Sequence, residues 1–427
     1  MRATPARPFV SGILRRVLGV KTPSDSFTHE IQRYAELVRP VEPLTDPFSI
    51  VSNEMSNLAK NIGSLLGSGH PTLNKVAMYY FESQGKHVRP LIVLLLSKAL
   101  SEVSADRRAK PADIDDVKAS KHERDSMNDP LSPLSILHGI NPGLVLNPLS
   151  KPQDPFPSEI EGVLPKQRRL AEIVEMIHTA SLLHDDVIDN SAERRARPSG
   201  NSAFGNKMAI LAGDFMLGRA SVAIARLRNA EVIELLSTTI ANLVEGEFMQ
   251  LKNTATANTR TATRASFEYY IHKTYLKTAS LMSKSCRATA VLAGVDRPLV
   301  EGCYQFGRNL GLCFQIVDDM LDYTAANDEQ LGKPTGADLK LGLATAPVLY
   351  AWEQFPELGD LIQRQFKGPG DVEKARELVS KANGVEKTRD LAIHYHNAAL
   401  AELDKLPESE SLEGLKSLTH TILTRRK

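Results

Sequence analysis

An all-α fold is what this sequence predicts, and three observations carry the prediction. From about residue 45 onward, helical spacing recurs, as in Leu170, Ile173, Val174, Ile177 and Ser181, or Leu391, Tyr395, Ala399, Leu403 and Leu406; such positions line one face of a helix. Period-two alternation, the mark of a half-buried strand, is hardly visible. No unit of about 20 to 50 residues repeats, which sets a solenoid aside and leaves a single bundle around a central cavity. With 427 residues, 42% hydrophobic and 24% charged, the chain has material for one large core or two modest ones.

Taken from the N-terminus, the first 24 residues hold Arg2, Arg7, Arg15, Arg16 and Lys21 with no acid before Asp25. Phe9, Val10, Ile13, Leu14 and Val17 can form an apolar stripe beside them. That composition resembles a mitochondrial presequence, so residues 1–40 are read as a targeting and flexible N-terminal segment before one domain over 41–427. Helical regions are expected at Val88 to Leu100 and Arg169 to Val187. Between them, 101–168 carries nine of the 24 prolines among Asp, Lys, Ser and Asn, the composition of a solvated surface insertion. Such an excursion costs a fold little, because loop-closure entropy grows slowly with length.

Bulk properties narrow the function classes. A net charge of +1 gives no global attraction to nucleic acid, so any anion site must be built locally. The three cysteines, Cys286, Cys303 and Cys313, are odd in number and lack metal-type spacing, which argues against a disulfide framework or a zinc site. No run approaches ~18 consecutive apolar residues, so no membrane span is expected, while peripheral association with a membrane surface stays compatible.

The chemistry begins with Leu-Leu-His-Asp-Asp-Val-Ile-Asp at 182–189 and its echo Phe-Gln-Ile-Val-Asp-Asp-Met-Leu-Asp at 314–322. Asp185 with Asp189, and Asp318 with Asp322, are four apart and rise from one helical face, with Asp186 or Asp319 beside them. Like charges repel at that spacing, and unpaired carboxylates in an apolar wall are costly, so cations are expected between the clusters. All-oxygen ligands point to a hard ion; magnesium, held by one or two carboxylates plus a substrate's phosphates, fits best. Cations surround the acids: Gly85-Lys86-His87-Val88-Arg89-Pro90 at a helix start, Glu193-Arg194-Arg195-Ala196-Arg197-Pro198 after the first cluster, then Lys277-Thr278 and Gly332-Lys333-Pro334. Phosphate capture is the economical reading, and two diphosphates would need about this much positive charge.

In this order the motifs resemble those of the trans-isoprenyl diphosphate synthases, the polyprenyl synthase family, over roughly 50 to 400 outside the insertion. The resemblance implies an isoprenoid-synthase-type helical bundle around a deep cavity, homodimeric, with three magnesium ions between the Asp clusters and an allylic diphosphate. It assigns Asp185, Asp189 and Asp318 to the metal, with Asp186, Asp319 and Asp322 close by. Lys277, Lys333 and the paired acids become the catalytic set. Arg194, Lys277, Thr278, Gln315 and Lys333 would hold the allylic diphosphate. Lys86, Arg89, His178 and Arg195 would hold isopentenyl diphosphate. His178, seven residues before Asp185, and Gln315, three before Asp318, each share a face with their acid. No motif supplies an obvious base for the final proton loss, which is assigned to the released diphosphate.

Product length is read from the turn before the first cluster, where the family places bulk. Ala180 and Ser181 are small, and Ser181 lies one turn, ~5.4 Å, below Asp185, so the floor is expected to be open and the product long, C30 to C50. Gly342-Leu343-Ala344-Thr345-Ala346-Pro347 lacks a lysine frequent in the family and resembles long-chain members that make quinone tails. His87 stands where an arginine is frequent. The implied enzyme is a mitochondrial all-trans-polyprenyl diphosphate synthase of ubiquinone side-chain synthesis, primed by farnesyl or geranylgeranyl diphosphate. The nearest rivals are a geranylgeranyl diphosphate synthase and the catalytic subunit of a hetero-oligomeric synthase. A class I terpene cyclase needs no second diphosphate site, and a non-catalytic regulatory subunit is expected to have lost motif residues that this chain keeps.

Overall fold

Helices make up nearly all the regular structure of the chain in a computed structural model, which describes residues 46–68, 70–81, 87–108, 162–194, 197–252, 261–324 and 336–425. Those of eight residues or more are α1 (Ser52–Leu66), α2 (Pro71–Met78), α3 (Val88–Ser101), α4 (Pro165–Ile188), α5 (Asn206–Arg226), α6 (Ala230–Lys252), α7 (Arg264–Thr274), α8 (Ser280–Ala293), α9 (Arg297–Thr324), α10 (Asp371–Lys381), α11 (Gly384–Leu403) and α12 (Glu410–Thr424). Strand is confined, among the described residues, to a minimal antiparallel pair, β1 (Glu193–Arg194) and β2 (Arg197–Pro198). The targeting segment, most of the insertion (109–161), Lys86, Arg195 and Lys333 lie outside the described residues.

The pillar of the bundle is α4. Pro165 opens it at the first helical position, where a missing N–H costs nothing, and the Gln167 side chain accepts the Leu164 N–H at 3.0 Å. The helix therefore starts a turn before the sequence boundary at Arg169. Leu170, Ile173, Val174 and Ile177 are fully buried, and α3, α5 and α8 pack around them. Polar residues on its other faces are buried too, and are paired: Arg169 meets Glu172 at 2.5 Å, Asn61 donates to Glu172 at 3.0 Å, and His87 contacts Glu175 at 2.7 Å. Burial pushes the Glu172 carboxyl up against the pull of these partners.

The second pillar, α9, packs on α8 and α11. Leu391, Tyr395, Ala399, Leu403 and Leu406, the stripe read from sequence, are all buried, although Leu406 lies just past the end of α11. Cys286, Cys303 and Cys313 are free and buried. By length and composition α5 is apolar enough to cross a membrane. It nonetheless carries Asp214 and a buried Arg219, and it packs on α4 as a bundle helix.

Candidate active site

A cavity of about 540 Å³ opens between α4, α5, α6, the α7–α8 junction and α9, and both acidic clusters face it, through Asp185 and Asp189 and through Asp318 and Asp319. Asp185 is on the last turn of α4 and Asp189 caps its end, the Asp189 N–H bonding the Asp185 carbonyl at 2.8 Å. Asp186 points the other way and is fully buried. The Tyr80 hydroxyl donates to its Oδ2 and accepts the Gly200 N–H at 2.7 Å. Arg194, presented by the β1–β2 turn, reaches its Oδ1 from Nε at 2.8 Å and from Nη2 at 2.6 Å. Arg194 itself lines the cavity, so Asp186 aims a cation at the site while staying out of it.

The second cluster also buries its middle acid, but Asp319 lines the cavity where Asp186 does not. Asp318 lies on the cavity and pairs with Arg425 at 3.1 Å, whose guanidinium sits 4.0 Å from the Phe314 ring centroid. Asp319 accepts from the Tyr270 hydroxyl at 2.7 Å and from Gln315 Nε2 at 2.8 Å. Gln315 in turn accepts from Thr278 at 2.9 Å, a bond across to another element. Burial, partly offset by those donors, raises the Asp319 carboxyl to about 6. Asp322 turns away and accepts the N–H groups of Ala337 and Asp338 at 3.0 and 3.2 Å. That capping brings Asp338 to the cavity, where burial and then Asp319, Asp322 and Asp318 push its carboxyl well up.

Lys277 and Thr278 both line the cavity. They sit in a π-helical turn, Tyr275–Ala279, between α7 and α8, a distortion frequent at functional sites. Two glycines let the neighbouring helices close on it. A Cβ on Gly246 would lie 2.9 Å from the Lys277 backbone nitrogen, and one on Gly311 2.6 Å from the Ala279 Cα. Lys277 Nζ is 2.6 Å from Glu247 Oε1. Burial, then Asp185, raise the Glu247 carboxyl to about 7 against the pull of Lys277. At the other side, Arg89 Nη1 contacts His178 Nε2 at 2.9 Å, and both line the cavity.

Below the acids the lining becomes apolar. Ser181 and Ile177 on α4 face Leu217 of α5 with Ile240 and Leu243 of α6; from Asp185 to Ile177 is about 12 Å along the helix. The Ser181 hydroxyl is turned back onto the His178 carbonyl at 2.8 Å. Ala180, the other residue expected to control length, is fully buried and absent from the lining.

Oxygen-only donors suit magnesium. Among the described residues no three acid, histidine or cysteine side chains converge on one ready-made ion cage. The fit lies elsewhere: carboxylates from two helices face one space, and Glu247, Asp319 and Asp338 are all raised by burial and by neighbouring acids. Such a site calls for cations, completed by ligand oxygens rather than by a protein cage.

A bundle with two acid clusters over a cavity that is cationic at its mouth and apolar beneath defines a prenyl-transfer site. Residues 156–379 match the polyprenyl synthetase family. Over 401 residues the chain is 68% identical to the probable hexaprenyl pyrophosphate synthase, mitochondrial, of Yarrowia lipolytica, covering 93% of this chain and 88% of that protein. It is 54% identical to the hexaprenyl pyrophosphate synthase, mitochondrial, of Saccharomyces cerevisiae, covering 94% and 95%. A polyprenyl synthase from Caulobacter crescentus, crystallised with calcium and isoprenyl diphosphate, superposes with a TM-score of 0.68 at 27% identity, over 89% of this chain and 97% of that one. The chain belongs to the polyprenyl synthetase family and is a prenyltransferase.

Sequence reasoning passed over Tyr80, Tyr270, Glu247, Lys273, Asp338 and Arg425. Asp338 closes the Gly-Lys-Pro-x-Gly-x-Asp-Leu motif and Lys273-Thr274 repeats Lys277-Thr278 four residues earlier, so two of the six had a readable signal. The tyrosines and Arg425 come from distant segments and had none.

Proposed function

We infer that this chain is a mitochondrial long-chain all-trans-polyprenyl diphosphate synthase, adding isopentenyl diphosphate head to tail onto an allylic diphosphate and stopping at six isoprene units. The observation that carries it is one cavity with acids and cations above and an apolar extension past Ser181 below. The two hexaprenyl relatives support six units and mitochondrial placement.

Magnesium bound by Asp185, Asp189 and Asp318 would neutralise charge developing on the departing diphosphate. Arg194, held by Asp186, and Lys277, held by Glu247, grip the allylic diphosphate, Lys333 is assigned to the same group, and Thr278, next to Lys277, is fixed by Gln315. Lys86, Arg89, His178 and Arg195 hold isopentenyl diphosphate so that its double bond meets the allylic carbon from which diphosphate leaves. Donors aimed where charge develops act strongly in a site screened from water, and the apolar lining supplies the screening. The carbon–oxygen bond breaks first, its electron pair leaving with diphosphate; the isopentenyl double bond then forms the new carbon–carbon bond to the allylic cation, and the proton lost next passes to the released diphosphate.

A homodimer is part of this reading. Ile210 and Leu211 on α5, with Val244, Phe248 and Leu251 on α6, are large and exposed; contiguous apolar faces of this kind are commonly covered by a partner. The last three also line the cavity, so a second copy would complete its wall. The test is elongation by the purified chain with isopentenyl diphosphate, magnesium and each allylic primer, products sized by mass spectrometry. A C30 product is expected; a C20 product favours the geranylgeranyl alternative, and no elongation with any primer overturns the reading.

A further inference from the structure

Lys273-Thr274 and Lys277-Thr278 are one turn apart, and all four residues line the cavity. The two lysines are not equivalent. Lys277 is balanced by Glu247 at 2.6 Å. Lys273 makes no ion pair within 4 Å among the described residues; its ammonium lies over the Tyr270 ring, 5.7 Å from the centroid. Tyr270 spends its hydroxyl on Asp319 at 2.7 Å. An ammonium carries three donors and no acceptor, and this half-buried one has no close counter-ion to take them. Burial pulls Lys273 below the usual lysine range, and only the more distant Asp319, Asp338 and Glu247 pull it back. An anion entering the cavity is the partner that geometry lacks.

We propose that Lys273 is a further substrate-binding residue, donating to the allylic diphosphate from the side of the second acidic cluster. This rests on the prenyl-transfer reading above. It divides the paired Lys-Thr steps between two roles, with Lys277 held in place by the protein and Lys273 left for the ligand.

The test uses the full chain with Lys273→Gln and Lys273→Arg, reading KM for farnesyl and isopentenyl diphosphate separately and calorimetric affinity for magnesium with inorganic diphosphate. In Lys273→Gln, KM for the allylic substrate should rise and diphosphate affinity fall by about tenfold, the scale of one charge-assisted hydrogen bond, with KM for isopentenyl diphosphate nearly unmoved. Lys273→Arg should restore most of the loss. Allylic KM and diphosphate affinity unchanged in folded Lys273→Gln would overturn the proposal. If that variant melts below the assay temperature, Lys273→Met, which keeps the stem against Tyr270, takes its place. Melting of both makes Lys273 a structural counter-ion for Asp319 and Asp338 and contradicts the proposal. An unaltered chain that elongates no primer sinks the synthase reading instead, and the calorimetry still decides the lysine.

Discussion

The two acidic clusters are spelled alike and hold their first two acids alike, except that Asp319 also lines the cavity where Asp186 does not, and they part fully at the third. Asp185 and Asp318 both face the cavity. Asp186 and Asp319 are both buried and both held by a tyrosine hydroxyl, from Tyr80 and Tyr270. The last acids part company: Asp189 lies on the cavity, while Asp322 caps the Ala337–Lys340 turn. The cause is the chain that each cluster meets at its end. The first cluster ends α4, so Asp189 at its cap is free to turn inward; the second lies within α9, whose Asp322 meets a returning segment with unpaired N–H groups. A repeated motif thus supplies one pair, Asp185 and Asp189, that lines the cavity and one carboxylate, Asp322, that instead positions another, Asp338.

The largest break in this comparison is expected from the shared first position. Asp185→Ala and Asp318→Ala should each lower kcat about 10²- to 10³-fold, measured as incorporation of labelled isopentenyl diphosphate. Equal retention of activity in both would remove the acids from the chemistry. The third position should split the clusters. Asp189→Ala is expected to raise the magnesium concentration for half-maximal rate with little change in melting temperature, whereas Asp322→Ala should cost about 1 kcal/mol of stability, the usual worth of a cap. Magnesium titration and thermal melts on the same two proteins separate these outcomes, and identical behaviour would erase the asymmetry.

The middle position sharpens the likeness. Tyr80→Phe and Tyr270→Phe each strip a donor from a buried carboxylate, a loss of about 1–3 kcal/mol. Tyr80 should be the costlier, since its hydroxyl also accepts the Gly200 N–H; the reverse order in chemical denaturation would contradict the pairing described. The smallest effect is on pH. Glu247 is raised from 4.5 to about 7 in the folded, metal-free chain. Through that window the folded state holds a proton that the unfolded state has released, so stability falls as pH rises. Glu247→Gln should flatten this limb of the melting temperature–pH profile, and an unchanged slope would assign it to other groups.

How far the sequence reached depends on the range of the signals. Helical periodicity is local: it placed α3 nearly to both its ends and α4 nearly to its C-terminal end, and it marked the buried stripe of α11 without its start. The start of α4 was missed by a turn, since Pro165 resembles insertion composition until its role as an opening residue is seen. Site residues within contiguous motifs were legible, because a helix fixes the relation between positions four apart. Those supplied by folding were not: Tyr80 is 106 positions from Asp186 and Arg425 is 107 from Asp318. Ala180 was misleading for a related reason. Small size alone does not say which side of a helix faces the cavity, and Ser181 took that side.

The most direct test of the central claim is the position of manganese, standing in for magnesium, in crystals of the full chain with inorganic diphosphate, located by anomalous scattering. Ions touching Asp185, Asp189 and Asp318, with Asp322 still on the Ala337 and Asp338 N–H groups, are the predicted result. Manganese on Asp322, or diphosphate bound away from this cavity, would contradict it.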